Sequence, residues 1–262
     1  MANQAMNLPI TERFEGIKEK LEYAEKQRMD LTSALFGTYE GNRPLPQFLR
    51  QTAEGILGHA RECLDHLGLD LIEKHLLPTA DAAFLADYHS GRTAAYFPFF
   101  ATQLSNPKNA FLRFKQVNPS VFIEVETLIA AMDAKAKLPM TNFDADDFRT
   151  LRKMVNDKKH SRVMEYQVVA DQSVFARGPM GTVIMDKSQF SVPGTKIGDA
   201  FGGHSPKSVP AYRFANGKDI PNFCLFATRA TAIVMNNFYG KFFSVGSVID
   251  LDAFQRGNAV SG

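Results

Sequence analysis

The strongest constraint on the fold is a stripe of apolar residues between positions 46 and 77. Its members recur at steps of three and four, the spacing that places side chains along one face of an α-helix. They are Leu49, Ala53, Ile56, Ala60, Leu64, Leu67 and Leu71. The stripe predicts a long amphipathic helix, and residues 11–36 predict another by the same spacing. Gly55, Gly58 and Gly68 weaken the first of these helices, but they also leave room for a partner to approach it closely.

Shorter helices are predicted in the rest of the first 165 residues. They cover 80–88, 112–115, 121–132 and a segment that begins near Asp144. The pattern changes after His160, where Met164, Tyr166 and Val168 alternate with polar neighbours as in a strand. Residues 182–185 and 222–226 predict further strands, whereas 230–245 combine helical spacing with strand-like composition. We therefore predict an α+β fold, with a helical bundle over 1–165 and a β-rich region over 166–262.

The composition excludes several classes of protein. Of 262 residues, 45% are apolar and 22% charged, which is typical of a globular chain and not of a disordered one. A formal charge of +2 provides no polybasic field for nucleic acid. The distant Cys63 and Cys224 predict buried reduced thiols and no disulfide framework. Because no signal peptide and no membrane-spanning apolar run is evident, we expect a soluble, cytoplasmic protein that does not contact a membrane.

A polar cluster interrupts the helix predicted over 46–77. His59, Cys63 and His66 follow one another at steps of four and three, so they share a helical face on which a metal could bind. No convincing further ligand lies nearby in the sequence. The favoured interpretation is an i,i+4 ion pair between Arg61 and Asp65 beside partly buried histidines. We therefore predict no metal and no cofactor.

A second polar cluster ends the helix that begins near Asp144. Arg152, Asn156, Lys159 and His160 follow one another at steps of four, three and one, opposite the apolar face. This stripe is either a solvated helix end or a phosphate site with His160 as general acid or base. In the second case Arg152, Asn156 and Lys159 are the substrate-binding residues. The sequence lacks both G-x-x-x-x-G-K-[ST] and G-x-G-x-x-G, so neither glycine-rich phosphate loop is present.

Four segments in this order resemble a family of uncharacterised bacterial proteins, often encoded in prophages or genomic islands. They are Lys20-Leu21-x-x-Ala24-Glu25, His59-x-Arg61-x-x-Leu64-Asp65-His66, Phe97-Pro98-Phe99-Phe100 and Asn156-x-Lys158-Lys159-His160. That family carries an R-x-x-L-D-H helix, an F-P-I-F-like segment and an N-x-D-K-H helix end before a β-rich tail. The resemblance covers residues 11–165, and the order and spacing of the segments carry it.

This family is distantly similar to HEPN domains, which are helical bundles that commonly dimerise. Many HEPN proteins are metal-independent endoribonucleases of toxin–antitoxin, CRISPR-associated and phage-defence systems, with an Arg followed by His after four to six residues. Arg61 and His66 match that spacing, with Glu62 at the usually Asn, Asp or His position, whereas seven residues separate Arg152 from His160. The resemblance implies RNA as the partner and a homodimer as the functional unit.

The resemblance also implies a mechanism. His66 or His160 would take the proton from a ribose 2′-hydroxyl, which attacks the adjacent phosphorus, while Arg61 or Lys159 stabilises the developing charge. Arg61 and His66 are about 140° apart around an ideal helix, so one copy of the motif does not converge on one phosphate. This geometry predicts either a composite site, formed by two helices of one chain or across a dimer, or no catalytic site at all.

Two other functions compete with this mechanism. In the first, the chain is a non-catalytic dimeric helical module used for binding or as a scaffold. The side chains of both polar clusters would then form a buried network that ties the two longest helices together. These side chains are Arg61, Asp65, His66, Asn156 and His160. In the second, the chain is a small-molecule sensor, with the aromatic residues of 96–100 as a pocket wall.

Overall fold

The computed structural model describes residues 9–39, 41, 47–159, 164–178, 181–186, 207–246 and 248–254. The fold is α+β, mostly helical, with a helical N-terminal region and a small antiparallel sheet. Its helices are α1 (Ile10–Tyr39), α2 (Leu49–His75), α3 (Ala82–His89), α4 (Ala101–Leu104), α5 (Phe114–Val117), α6 (Pro119–Asp133), α7 (Asp147–Lys159) and α8 (Ile220–Phe242). None of the helices in these ranges combines the length and apolar character needed to span a bilayer.

The three longest helices, α1, α2 and α8, pack against one another and form the centre of the core. The apolar stripe predicted for α2 is buried, from Leu49 to Leu71, and Phe14 and Leu21 of α1 are fully buried with it. Both long helices of the N-terminal region are therefore confirmed. Helix α8 lies beyond residue 165, so the helical body draws on residues from both sides of that position.

The strand predicted over 222–226 is wrong, because these residues lie in the first turns of α8. Asp219 caps this helix by accepting a hydrogen bond from the Asn222 backbone N–H at 3.0 Å, and Pro221 occupies its first turn. The strand-like composition of 230–245 also belongs to this helix as far as Phe242. The helix contacts both α1 and α2, so most of its circumference is buried. A helix buried in this way is apolar on nearly all sides, and its composition therefore resembles that of a strand.

The sheet contains three antiparallel strands in the order β2-β1-β3. They are β1 (Tyr166–Gly178), β2 (Gly181–Asp186) and β3 (Lys207–Phe214), which confirms the strands predicted after position 164 and over 182–185. Tyr212 and Phe214 of β3 attach the sheet to the helices. Their ring centroids lie 5.9 Å from Tyr39 of α1 and 6.1 Å from Phe223 of α8, respectively.

Both cysteines are free and buried, as the sequence predicts. The Cys63 thiol donates to the carbonyl oxygen of Ile17 at 3.9 Å, which directs it into the contact between α1 and α2. Burial raises the pKa of Cys63 to about 12. The thiol is therefore protonated and unreactive at neutral pH.

Gly68 allows the backbone of the 97–100 segment to lie directly on α2. A Cβ atom at Gly68 would come within 2.9 Å of the Phe97 backbone nitrogen. The partner that this glycine admits is thus an extended segment and not another helix. We expect Gly68→Ala to lower the free energy of unfolding by about 2 kcal/mol, since overpacking a closed contact forces the backbone to shift.

Gly58→Ala is the matched control for this prediction, because no atom lies within 4 Å of the Cβ it would introduce in the same helix. There the gain in helix propensity should raise the free energy of unfolding by about 0.5–1 kcal/mol. Urea denaturation of both variants measures the two effects. If Gly68→Ala were stabilising as well, the close contact with Phe97 would be wrong.

Candidate functional site

Residues 97–100 form an aromatic segment next to the candidate site. Phe97 and Phe99 are fully buried, and the Phe97 ring packs edge-on against Phe111 and Phe238 with centroid distances of 5.9 Å in both pairs. The Phe99 backbone N–H donates to the Gln103 side-chain oxygen at 2.8 Å. These contacts fix the segment beside α4 and α8, and the rings of Phe97 and Phe99 belong to the core.

Three arginines from two helices lie over this aromatic segment. The guanidinium carbon of Arg61 is 4.8 Å from the centre of the Phe99 ring, and those of Arg149 and Arg152 are 4.8 and 5.4 Å from the Phe100 ring. Arg149 is further held by donating from Nε to the Phe99 carbonyl oxygen at 2.9 Å. The stacking orients three positive charges toward one region between α2 and α7.

Two neighbouring cavities open in this region. The first, which we call the α2 cavity, has a volume of about 390 Å³ and is lined by Arg61, Asp65, Leu69, Ala95, Tyr96 and Asn156. The second, the α7 cavity, has a volume of about 370 Å³ and is lined by Phe100, Arg149, Arg152, Asn156 and their helix neighbours. Asn156 lines both. The structure thus brings together Arg61 of the first polar cluster with Asn156 of the second, within one chain.

Arg61 is the buried charge of the α2 cavity, with 5% of its surface exposed. It forms the predicted ion pair with Asp65, through Nη1 and Oδ1. Burial lowers the pKa of Arg61, Asp65 opposes this shift, and the positive charge of Arg152 adds to it. The effect of Arg152 on the pKa of Arg61 indicates that the charges of the two polar clusters interact.

Arg152 and Asn156 have side chains that are available to a ligand. Within the described ranges, neither side chain forms a hydrogen bond or an ion pair, apart from the stacking of Arg152 on Phe100. Arg149, in contrast, already pairs with Asp133 at 2.6 Å. An anion in the α7 cavity would therefore contact the guanidinium of Arg152 and the side-chain amide of Asn156, neither of which has a polar partner among the described residues.

His66 does not line either cavity. It is exposed on α2, and its pKa is lowered first by partial desolvation and then by the positive charge of Lys20, while Glu62 and Asp65 oppose the shift. Glu62 itself pairs with Lys20 of α1 at 2.8 Å. An exposed His66 is not a member of a buried polar network, so this part of the competing interpretation is wrong.

Lys159 and His160, the last two residues of the second cluster, are not fully covered by the residues that the structure describes. Lys159 is the last residue of α7, but its side chain is outside the described residues, as is His160. No three His, Cys, Asp or Glu side chains in the described ranges are grouped so that they could hold a metal ion. Cys63 is buried whereas His66 is exposed, so the two side chains do not face the same environment.

Arg149 is the site residue that the sequence analysis missed. It precedes Arg152 by three residues and Asn156 by seven, which places all three on one face of α7. The signal was present, because the same helical spacing continues one turn toward the start of the helix.

Comparisons of the chain with protein-family models, with curated proteins and with solved structures find no match. The function is therefore argued from the site's own residues.

Proposed function

We propose that this chain is a metal-independent endoribonuclease that binds RNA at the α2 and α7 cavities. One observation carries the proposal. Arg61 and Asn156 are 95 residues apart in the sequence and line the same cavity, next to the uncommitted guanidinium of Arg152. A cation beside a neutral hydrogen-bond donor is an arrangement that binds phosphate through charge-assisted hydrogen bonds.

In this proposal the α7 cavity binds the phosphate that undergoes reaction. Arg152 donates two parallel hydrogen bonds to phosphate oxygens, a geometry that the planar guanidinium favours. Asn156 donates a further one from its amide. The Phe100 ring holds Arg152 from one side, so less side-chain entropy is lost when the phosphate binds.

His160 is the general base in this proposal, because it follows α7 directly in the sequence, four residues after Asn156. It takes the proton of the ribose 2′-hydroxyl, and the 2′-oxygen forms a bond to phosphorus. The bond between phosphorus and the 5′-oxygen breaks, and the leaving oxygen takes a proton from solvent. The products are a 2′,3′-cyclic phosphate and a 5′-hydroxyl, and Arg152 stabilises the charge that develops on the phosphoryl oxygens.

The distant HEPN resemblance supports the same proposal at the level of the assembly. It implies a homodimer that acts in phage defence or as a toxin, with RNA as the substrate. We propose that each protomer carries its own phosphate site, since Arg61, Arg152 and Asn156 already meet within one chain.

The second candidate is a non-catalytic helical module. The burial of Arg61 over Phe99 and its ion pair with Asp65 favour it, because a residue held in this way also stabilises the contact between α2 and the 97–100 segment. Under this alternative the same cavities bind RNA without cleaving it.

The first test compares wild type with Arg152→Gln on a labelled single-stranded RNA in the presence of EDTA. We expect wild type to release fragments that end in a 2′,3′-cyclic phosphate. Loss of one charge-assisted contact should lower kcat/KM for Arg152→Gln about tenfold, or about 1.4 kcal/mol. The melting temperature of each protein is recorded, so that unfolding is not mistaken for lost activity.

Arg92→Gln is the matched control, because Arg92 lies outside both cavities in a largely exposed ion pair with Asp87. Its activity should equal that of wild type. RNA binding without cleavage in every sample would support the non-catalytic module, and the absence of both binding and cleavage would overturn both functions.

A further inference from the structure

A third cavity continues the candidate site along α7 toward the sheet. This cavity, which we call the β3 cavity, has a volume of about 810 Å³. It shares Thr150, Lys153 and Asp157 with the α7 cavity, just as the α7 cavity shares Asn156 with the α2 cavity. Within the described ranges, the α2 and β3 cavities have no lining residue in common. The three cavities therefore lie in one row, with the α7 cavity in the middle.

The chemical character of the cavities changes along this row. In the middle, the α7 cavity is lined by the cationic side chains of Arg149 and Arg152. At one end, the α2 cavity is lined by Tyr96, which is 39% exposed, and by Leu69 and Ala95. Aromatic side chains are the usual surfaces on which proteins stack an unpaired base of a single strand.

The β3 cavity, at the other end of the row, also has an apolar wall. Met164 and Phe214 are buried, and Met154 of α7 is half-buried. The Asn216 side-chain amide is fixed at this wall, because its Nδ2 donates to Sδ of Met154 at 3.3 Å. Methionine side chains adapt their shape and contact aromatic rings favourably. This cavity therefore also suits a flat ring with polar edges.

The charges in the two end cavities do not favour a second phosphate there. Asp157 pairs with Lys153 at 2.7 Å where the α7 and β3 cavities meet, so the charge of Lys153 is already balanced. Glu165 adds a further carboxylate to the β3 cavity. In the α2 cavity, Arg61 is paired with Asp65. An anion is therefore favoured in the middle of the row, with a neutral group on each side of it.

We infer that this row binds both nucleosides that flank the reacting phosphate, one base in the α2 cavity and the other in the β3 cavity. The inference rests on the proposed function, which binds the phosphate between them in the α7 cavity. Because the end cavities lie on opposite sides of the α7 cavity, they hold the two bases apart and unstacked. A single strand can separate neighbouring bases in this way, whereas a duplex must first break their pairs. The substrate is therefore single-stranded RNA, bound through both neighbours of the reacting bond.

The test uses RNA octamers in which a single bond can react. They consist of 2′-O-methyluridine with two central adenosines, and only the first adenosine keeps a free 2′-hydroxyl. An abasic residue with the same sugar replaces the first adenosine, the second adenosine or, as a control, the seventh nucleotide. The rate of alkaline hydrolysis of each octamer corrects for any change in the intrinsic reactivity of the bond.

We expect the loss of either central base to lower kcat/KM of the wild-type protein about tenfold, since the base no longer contacts its cavity. The octamer without its seventh base should react like the intact one. The same bond placed in the stem of a hairpin should react at least about tenfold more slowly, because the central pairs must first open. These comparisons use one protein, so they do not depend on how well a variant folds.

Tyr96→Ala identifies the base that occupies the α2 cavity. It should lower kcat/KM about tenfold on the intact octamer and on one of the two central abasic octamers. It should have no further effect on the other, which already lacks the base that Tyr96 contacts. Tyr96→Phe should restore most of the loss, since stacking does not need the hydroxyl. Tyr23→Ala is the matched control, because Tyr23 is 54% exposed on α1 and does not line these cavities.

The possible outcomes separate this inference from the proposed function. An unchanged rate after removal of a central base would overturn the binding of that neighbour and leave the nuclease intact. An equal effect of Tyr96→Ala on both central abasic octamers would overturn the placement of a base in the α2 cavity. Equal cleavage of the hairpin stem and the single strand would overturn the separation of the bases. No cleavage of any octamer would overturn the proposed function and this inference together.

Discussion

Replacing His160 by alanine is expected to lower the rate of RNA cleavage by about 100-fold or more, whereas His66→Ala is expected to leave the rate unchanged. A general base contributes about this much to a proton transfer in the transition state. The two variants distinguish two models of the active site. The HEPN pattern, which the spacing of Arg61 and His66 matches, makes His66 the base, whereas the proposed function assigns the base to His160, which follows α7 directly in the sequence.

The physical reason is the orientation of α2. His66 follows Arg61 by five positions along the helix, which turns their side chains about 140° apart. Arg61 lines a cavity with Asn156 of α7, while His66 is exposed, and Lys20 and Glu62 are the charges that act most on its pKa. A base on that side of the helix does not reach a phosphate held between α2 and α7 in the same chain.

Single-turnover cleavage in EDTA by wild type, His66→Ala and His160→Ala measures the difference. His89→Ala, an exposed histidine on α3, is the matched control and should behave like wild type. Loss of activity in His66→Ala with an unchanged melting temperature would contradict the prediction, and it would move the active site to an interface between two copies of the chain.

Much of the helical region could be predicted from the sequence, because local periodicity is sufficient where one face of a helix is buried. The stripe on α2 and its i,i+4 pair of Arg61 and Asp65 are examples. Periodicity does not identify helix α8. It is buried by α1 and α2 on several faces, so its composition resembles that of a strand, and the cap at Asp219 is the local signal that marks where the helix begins.

The site could be predicted only in part. Both polar clusters were visible in the sequence, but periodicity within one helix does not tell which face of α2 meets which face of α7. The stacking of arginines on Phe99 and Phe100 depends on Gly68, through which the 97–100 segment approaches α2. Contacts of this kind join distant parts of the chain and leave no local pattern.

A buried carboxylate in the core leads to the second large prediction. Asp70 of α2 is 2% exposed, and it accepts a hydrogen bond from the Tyr239 hydroxyl of α8 at 2.5 Å. Arg13 of α1 pairs with the other carboxylate oxygen at 2.9 Å and also with Glu73. These contacts join the three longest helices at one point.

Burial raises the pKa of Asp70 to about 6, although the hydrogen bond from Tyr239 and the charge of Arg13 oppose the shift. The unfolded chain has a pKa of about 3.9 at such a residue. The folded state therefore binds the proton more tightly. The resulting stabilisation is fully present below about pH 4, and it is lost as the pH rises through about 6. A shift of about two units corresponds to about 3 kcal/mol.

Urea denaturation of wild type and Asp70→Asn between about pH 4.5 and 7.5 isolates this contribution, since the asparagine side chain of the variant does not titrate. We expect wild type to lose about 2 kcal/mol of stability relative to Asp70→Asn over that interval. Tyr239→Phe removes a hydrogen bond that favours the ionised carboxylate. It should therefore move the midpoint of the loss to higher pH.

The opposite slope has an equally definite meaning. If wild type gained stability relative to Asp70→Asn as the pH rose, the attraction of Arg13 would exceed the cost of burying the charge, and the pKa of Asp70 would lie below about 3.9. Glu73 shares the guanidinium of Arg13 and weakens its hold on Asp70, so it adds to the effect of burial on the pKa of Asp70. The sign of the slope thus measures whether burial or the attraction of Arg13 dominates at Asp70.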